Sequence, residues 1–489
     1  MAYKHGTYQN ETASDISLPI ESSYGYFIVG TAPLNKIKES KRKINEVVRI
    51  GTYKEALEYF GDTYDLDFSI SQAIKVFFEL YSVAPIYVVN LVDPATHKKT
   101  GTPLNNVSVV NGKVLIPNHK VIPETVIVRN GSTPIVDKTF VWTEEGLEIY
   151  FTSSSATSVN IEYDEIDLSM ITKSMAIGGY NTNTMKRTGL ELLDEVFLKY
   201  SELPAFIDVP NFSHESDVAA VLATKAKNLN GNMFETMALI NAPIGKKYDE
   251  IAKWKDDNNI NSEDQLVFYG KLTLSKKIYY QSIHYAALSL RVDIDNDGVP
   301  CQSASNYNYK CDGLIWKNSN DKLEEIILDK EQQANFLNKN GVITAINFKG
   351  WRCWGSETAK NPMAIDPKDK YSYIRRMFKY IGNELVLTYF NKVDQPFTKK
   401  LAETITKSMN IRLNSLVPSK LLAAKAELSK EDNNLISVIN GDITWIISLG
   451  ITPALKSLTF KKKYDVDALN EFSKRLGEWY RCQIEIVYQ

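Results

Sequence analysis

Apolar and polar residues follow two rhythms along this chain, and the rhythm changes at identifiable points. "YGYFIVG" (24–30) is a short apolar run closed by glycine, the pattern of a strand. "TYKEALEYFG" reads as a short helix, capped by Thr52 and stopped by Gly61. "SISQAIKVFFELY" is an amphipathic helix, and "IYVVNLV" is the unbroken apolar run of a strand buried on both faces. From about 101 to 164 the helical period vanishes. "VSVVNGKVLI" and "VIVRNGSTPIV" each set Asn-Gly between β-formers, and "LEIYF" and "VNIEYD" add strands, which predicts a small antiparallel sandwich or barrel. Between about 165 and 345 strands and helices alternate. "SMAIGG" and "PAFIDVP" are expected as strands around the helix "GLELLDEVFLKY"; the helix "SDVAAVLATKAKNL" and the strands "TMALIN" and "LVFYGKL" follow. That alternation predicts an open α/β sheet.

The last third differs again. Ile374, Met377, Phe378, Ile381 and Leu385 repeat at helical spacing, with Arg375, Arg376, Lys379 and Asn383 on the other face. A second helix starts near Gln395, its stripe formed by Leu401, Ile405, Met409, Leu413 and Leu416. "DITWIISLGITP" and "LKSLTF" are expected as strands. In "RCQIEIVYQ", Ile484, Ile486 and Tyr488 alternate with other residues as in a strand, and a strand at a chain end must find a sheet edge in its own chain or another. Residues 1–22 are polar and carry no usable period; alone they bury too little surface to fold. The fold class expected is therefore α/β and α+β multidomain. It comprises an α+β C-terminal core, a βαβ-rich middle domain, an inserted antiparallel β domain, and extended arms at both ends.

Composition narrows the function by exclusion. With 57 basic and 59 acidic residues, the formal charge of -2 gives no bulk attraction to nucleic acid or to a membrane surface. The N-terminal sequence lacks a basic head and apolar core, so no secretory signal is expected, and no run is long enough to cross a bilayer. Four cysteines without CxxC spacing predict reduced thiols and no zinc site. The five histidines sit in no HExxH; GxSxG and a Walker A loop are absent. "AIGGYNTNT" lacks dinucleotide-binding spacing and reads as a turn, and "WRCWGSET" reads as a packed aromatic turn around Cys353. In "DIDNDGVP", Asp293, Asp295, Asp297 and Gly298 fit the start of an EF-hand, but the twelfth position is Ala304, which cannot ligate. The stretch is expected to be an acidic turn leaving a helix. No catalytic residue, metal or cofactor is assigned.

The order of several weak motifs then resembles one family, the contractile tail sheath proteins of myophages and phage-tail-like particles. The stretches concerned are "HGTYQNE" leading to "LPIESSYGYFIVGTAPLN", then "AIKVFFEL", "APIYVVNLVD", "RTGLELLDEV" with "LPAFIDVPNFSH", "LNKNGVITAINFKGWRCWGSET", "YIRRMFKYI" and "NGDITWIISLGITPALKSLTF". They span most of the chain outside 101–164. The resemblance implies a non-enzymatic subunit of stacked hexameric rings around an inner tube, contracting to drive that tube through a cell envelope. It implies as partners the protein itself, the inner tail tube protein, and baseplate and tail terminator proteins, with no direct contact to nucleic acid or membrane. The implied location is a virion tail or phage-tail-like particle, made in the bacterial host cytoplasm. The division it implies is an N-terminal arm (1–22), a first α/β part (23–100), the β insert on the outer surface (101–164), a middle domain (165–345), an inner core (346–480) and a C-terminal arm (481–489). Tyr3, His5, Thr7 and Tyr8 would form an added strand on one neighbour, and Ile484, Ile486 and Tyr488 on another. Arg375, Arg376 and Lys379, or Lys461, Lys462 and Lys463, would face the tube. The competing expectations are a secreted or surface binding module built on the β insert, and an α/β enzyme with an unrecognised site.

Overall fold

A computed structural model describes residues 24–152 and 156–487, the last six of these by backbone alone. It falls into two units, Met1–Thr452 and Pro453–Gln489. The first unit centres on an eight-stranded sheet. Six parallel strands lie in the order Ile86–Asn90, Tyr24–Gly30, Leu203–Asp208, Met237–Asn241, Gln265–Phe268 and Val342–Asn347. An antiparallel strand closes each edge, Val47–Ile50 at one end and Trp351–Trp354 at the other. The unbroken apolar runs follow from this position: Tyr26, Phe27, Ile28, Val29, Phe206, Ile207, Leu239 and Ile240 are wholly buried, as strands covered on both faces must be.

The helices carry their expected boundaries where local chemistry fixes them. Thr52 accepts from the Glu55 amide and Glu55 reaches back, a capping box opening Tyr53–Phe60; Gly61, at φ +80°, ends that helix in a conformation open to glycine. The helix Gln281–Asp295 lies inside the α/β body, with most of its residues buried. By contrast "SMAIGG" is not a strand. Thr172 caps the helix Lys173–Ile177 by accepting from the Met175 amide, and a side-chain cap at that point outweighs the β-tendency of a short apolar run. The middle domain also does not end at 345. The strand Val342–Asn347 straddles that boundary and pairs with Trp351–Trp354, so both belong to the sheet that starts at Tyr24.

Residues 101–164 form two antiparallel sheets, of three and four strands, around a separate cluster that includes Val114, Ile116, Val128, Leu147, Ile149, Val159 and Ile161. The segments leading in and out pair with each other, Lys98–Thr100 against Asp164–Ile166. The first Asn-Gly turn forms, with Asn111 at φ 53° and Gly112 at φ 73°, but Leu104–Ser108 and Lys113–Ile116 then diverge into different sheets.

A third cluster joins the long helices Ser372–Tyr389 and Lys399–Ser415 to the hairpin Ala423–Leu428/Trp445–Gly450 through Met377, Ile381, Ile405, Met409, Leu413 and Ala426. Within the second unit, "LKSLTF" forms no strand; Leu455, Leu458 and Phe460 are exposed. The expected terminal strand is replaced by a helix, Val466–Val487. An unpaired strand would leave its backbone groups unsatisfied, whereas Leu469, Phe472, Leu476 and Tyr480 recur at helical spacing and a helix satisfies its own.

Candidate assembly site

The surfaces that could join one copy to another begin with the basic residues assigned from the sequence. Arg375, Arg376 and Lys379 do not face outward. The helix Ser372–Tyr389 turns its apolar side to the third cluster and its basic side into the α/β body. Arg375 Nε donates to Asp264 Oδ1 at 2.8 Å, and Lys379 Nζ lies 2.6 Å from the same oxygen. Arg376 grips Asp293 with both guanidinium ends and donates to Ser289 Oγ at 2.7 Å. Lys379 also donates to the Thr236 carbonyl at 2.5 Å. Burial pushes the Asp264 carboxyl up, but Lys379 and Arg375 outweigh it and hold the group below its usual range. Burial lowers Lys379 in turn. The tube-facing expectation for these three residues is therefore corrected: each cation has an internal carboxylate, and a polar helix face is not always a wet one. The missing signal was the acids, Asp264 and Asp293, which lie 80 or more positions away in sequence. Lys461, Lys462 and Lys463 are exposed on the second unit.

The acidic turn at 293–300 is accounted for the same way. Asp293 pairs inward with Arg376, Asp295 with Arg291, and Asp297 with Lys420 at 3.1 Å. Three carboxylates engaged with three different cations do not converge on one ion. Asp297 and Gly298 both have positive φ, the turn that ends the helix. Cys353 lies buried in the edge strand Trp351–Trp354, where burial pushes its thiol up to about 12, a protonated and unreactive group.

The hairpin Ala423–Leu428/Trp445–Gly450 is the open element. It forms a two-stranded sheet, and among the described residues no third strand joins either edge. The two edges differ. Asn410 closes one: it accepts from the Ala426 amide at 2.9 Å and donates to the Ala426 carbonyl at 2.7 Å. Ala426 thus turns both backbone groups away from its partner Ile447, and antiparallel alternation turns those of Ile447 to the opposite edge. Among the described residues that edge of Trp445–Gly450 pairs with no strand. The connecting loop carries the helix Leu435–Asn440, whose Leu435, Ile436 and Ile439 are more than 70% exposed. Of the expected arm residues, Tyr3, His5, Thr7, Tyr8 and Tyr488 lie outside the described residues, and Ile484 and Ile486 fall in the helix Val466–Val487.

Comparison with known proteins points one way. No family profile matches the chain. It is 25% identical over 297 residues to the major tail sheath protein of Serratia phage KSP20, covering 59% of this chain and 70% of that protein. It is 24% identical over 131 residues to the tail sheath protein of Escherichia phage P2, covering 27% and 32%. Among solved structures it is similar to a chain of the anti-feeding prophage baseplate, at TM-score 0.57, 14% identity and coverage of 95% and 100%. It is likewise similar to a chain of the extracellular contractile injection system PVC sheath complex in its contracted state, at TM-score 0.57, 11% identity and coverage of 96% and 99%. The resemblance read from the sequence is borne out, and the mixed α/β fold with several sheets extends over nearly the whole of both chains.

Proposed function

We propose that this chain is the structural subunit of a contractile tail sheath, polymerising with copies of itself in a virion tail or phage-tail-like particle. The observation that carries this reading is its kinship to phage tail sheath proteins, over 70% of the length of one of them. Near-complete coverage of chains from contractile injection assemblies supports it. The role is mechanical rather than enzymatic. Subunits form stacked hexameric rings around an inner tube, and contraction drives the tube through a cell envelope.

The hairpin supplies a physical means of joining. The edge at Ile447 offers backbone groups to an extended segment, and strand addition fixes register through the alternate side chains. The N-terminal arm, with Tyr3, His5, Thr7 and Tyr8, and the C-terminal arm, with Ile484, Ile486 and Tyr488, are the donors in this account. The C-terminal donor would have to exchange helix for strand on joining. Such a contact is heterologous, and heterologous contacts build rings and helical stacks. The β insert at 101–164 faces outward, while Lys461, Lys462 and Lys463 are the basic residues left to meet the tube. Contact with baseplate and terminator proteins at the two ends of the polymer belongs to the same account.

Negative-stain electron microscopy of the purified chain tests the proposal. Hollow tubes or stacked rings are expected. A monodisperse monomer at high concentration would count against it.

A further inference from the structure

A cleft of about 540 Å³ opens between residues 64–72 and the hairpin Lys271–Leu274/Lys277–Tyr280. Three lysines line it, Lys271, Lys276 and Lys277, against a single carboxylate, Asp67. Asp67 is itself engaged by Lys120 at 2.5 Å. Lys277 donates to the Tyr64 carbonyl at 3.1 Å. The Lys271 ammonium lies 3.9 Å from the centre of the Tyr280 ring, and the charge of Asp67 acts on it without a close ion pair forming among the described residues. Burial costs that half-buried cation more than the Tyr280 ring and the charge of Asp67 return. Burial pulls its pKa down to about 8.

The turn that presents the other two lysines is unusual in its residues. Ser275 and Lys276 both have positive φ, at 51° and 64°, where a two-residue hairpin ordinarily places Asn-Gly. The Asp312 carboxylate props the turn by accepting from the Ser275 amide at 2.6 Å.

We propose that this cleft receives an acidic side chain from a second copy of the chain in the polymer. The inference rests on the sheath reading above. The surface carries the complement: Glu144 and Glu145 in one hairpin turn, and Glu324 and Glu325 on an exposed strand, form no ion pair among the described residues. A carboxylate in the cleft adds to the one charge of Asp67, which Lys120 already shares, and so answers the three lysines together.

The test is amine acetylation of the full chain, free and polymerised, read by mass spectrometry, together with K276E/K277E. Both side chains are exposed, the variant gives up the Lys277 contact to the Tyr64 carbonyl, and its folding is checked by circular dichroism. The expected result is at least tenfold slower modification of Lys271 and Lys276 in the polymer. The variant should need at least a tenfold higher concentration to polymerise, and a charge-swapped copy carrying E144K/E145K or E324K/E325K should partly rescue it. Equal modification in both states, with normal polymers from the variant, overturns the cleft and leaves the sheath reading standing. Protection of the free subunit by inorganic phosphate alone, without protection in the polymer, assigns the cleft to a small anion and overturns the proposal. Protection in the free subunit that vanishes on deleting residues 1–22 assigns it to the chain's own arm and also overturns it. Failure to polymerise at all overturns both readings.

Discussion

Asp264→Ala is the substitution whose cost follows most directly from the geometry. The Asp264 side chain is 1% exposed, Lys379 4% and Arg375 12%, and both cations reach the same carboxylate oxygen. Removing the acid leaves Lys379 in a buried site with carbonyl acceptors and only the more distant charge of Glu235, while Arg375 keeps Glu235 and Asp369 at about 4 Å. Breaking a buried pair from one side costs about 3–5 kcal/mol, most of it the penalty of the orphaned charge. The double variant Asp264→Leu/Lys379→Met removes that charge and should recover at least half of the loss. The carboxyl is held below its usual value, so it is deprotonated more readily in the folded chain than in the unfolded one. Its contribution is present above the ordinary carboxylate range and is lost as pH falls through the folded value. Urea unfolding of the unassembled subunit, followed by tryptophan fluorescence at pH 7 and pH 3, measures all three. A loss below about 1 kcal/mol for Asp264→Ala, or no recovery in the double variant, would refute the inward assignment of this helix face and return its lysine and arginines to the surface.

Three further outcomes are expected. Asp208 is wholly buried, accepts from the Tyr26 hydroxyl at 2.8 Å, and burial raises its carboxyl to about 7. The folded state therefore holds its proton better than the unfolded one, and stability falls as pH rises from about 4 to 7; Asp208→Asn should flatten that slope in denaturation curves taken across the window. Asn410→Ala uncovers the Ala426 backbone, which should cost about 1–3 kcal/mol and raise aggregation measured by light scattering, since a second strand edge is opened. Ending the chain before Gln483 should abolish polymers in sedimentation while costing circular dichroism only the last residues of the helix Val466–Val487 and leaving the unfolding midpoint unchanged; normal polymers would remove the C-terminal segment from the assembly contact.

How much of this was legible in the sequence depended on the range of the interaction. The buried strands around Phe27, Val88 and Leu239 declared themselves because a strand covered on both faces needs an unbroken apolar run, and Thr52 declared a helix start because that cap is local. The inward turn of Arg375, Arg376 and Lys379 did not show, since its cause is a carboxylate 111 residues from Arg375 and another 83 from Arg376. The helix at Lys173–Ile177 was hidden for a smaller reason: five residues are too few for a period to emerge, and only Thr172 marked it. The alternation at Ile484 and Ile486 is real in the sequence, but a strand is a relation between two segments, and the isolated chain leaves that segment helical. The cleft at Lys271 was invisible because residues 64–72 and 271–280 meet only in the fold.

The central claim is that the free edge of Trp445–Gly450 takes up a strand from another copy when the chain assembles. Hydrogen exchange at the Ile447 and Leu449 amides, compared between dissociated subunit and polymer, tests it most directly. These amides point away from Ala423–Leu428, so they should exchange rapidly in the subunit and at least about a hundredfold more slowly in the polymer. Polymers in which both amides exchange as fast as in the free subunit would contradict the account.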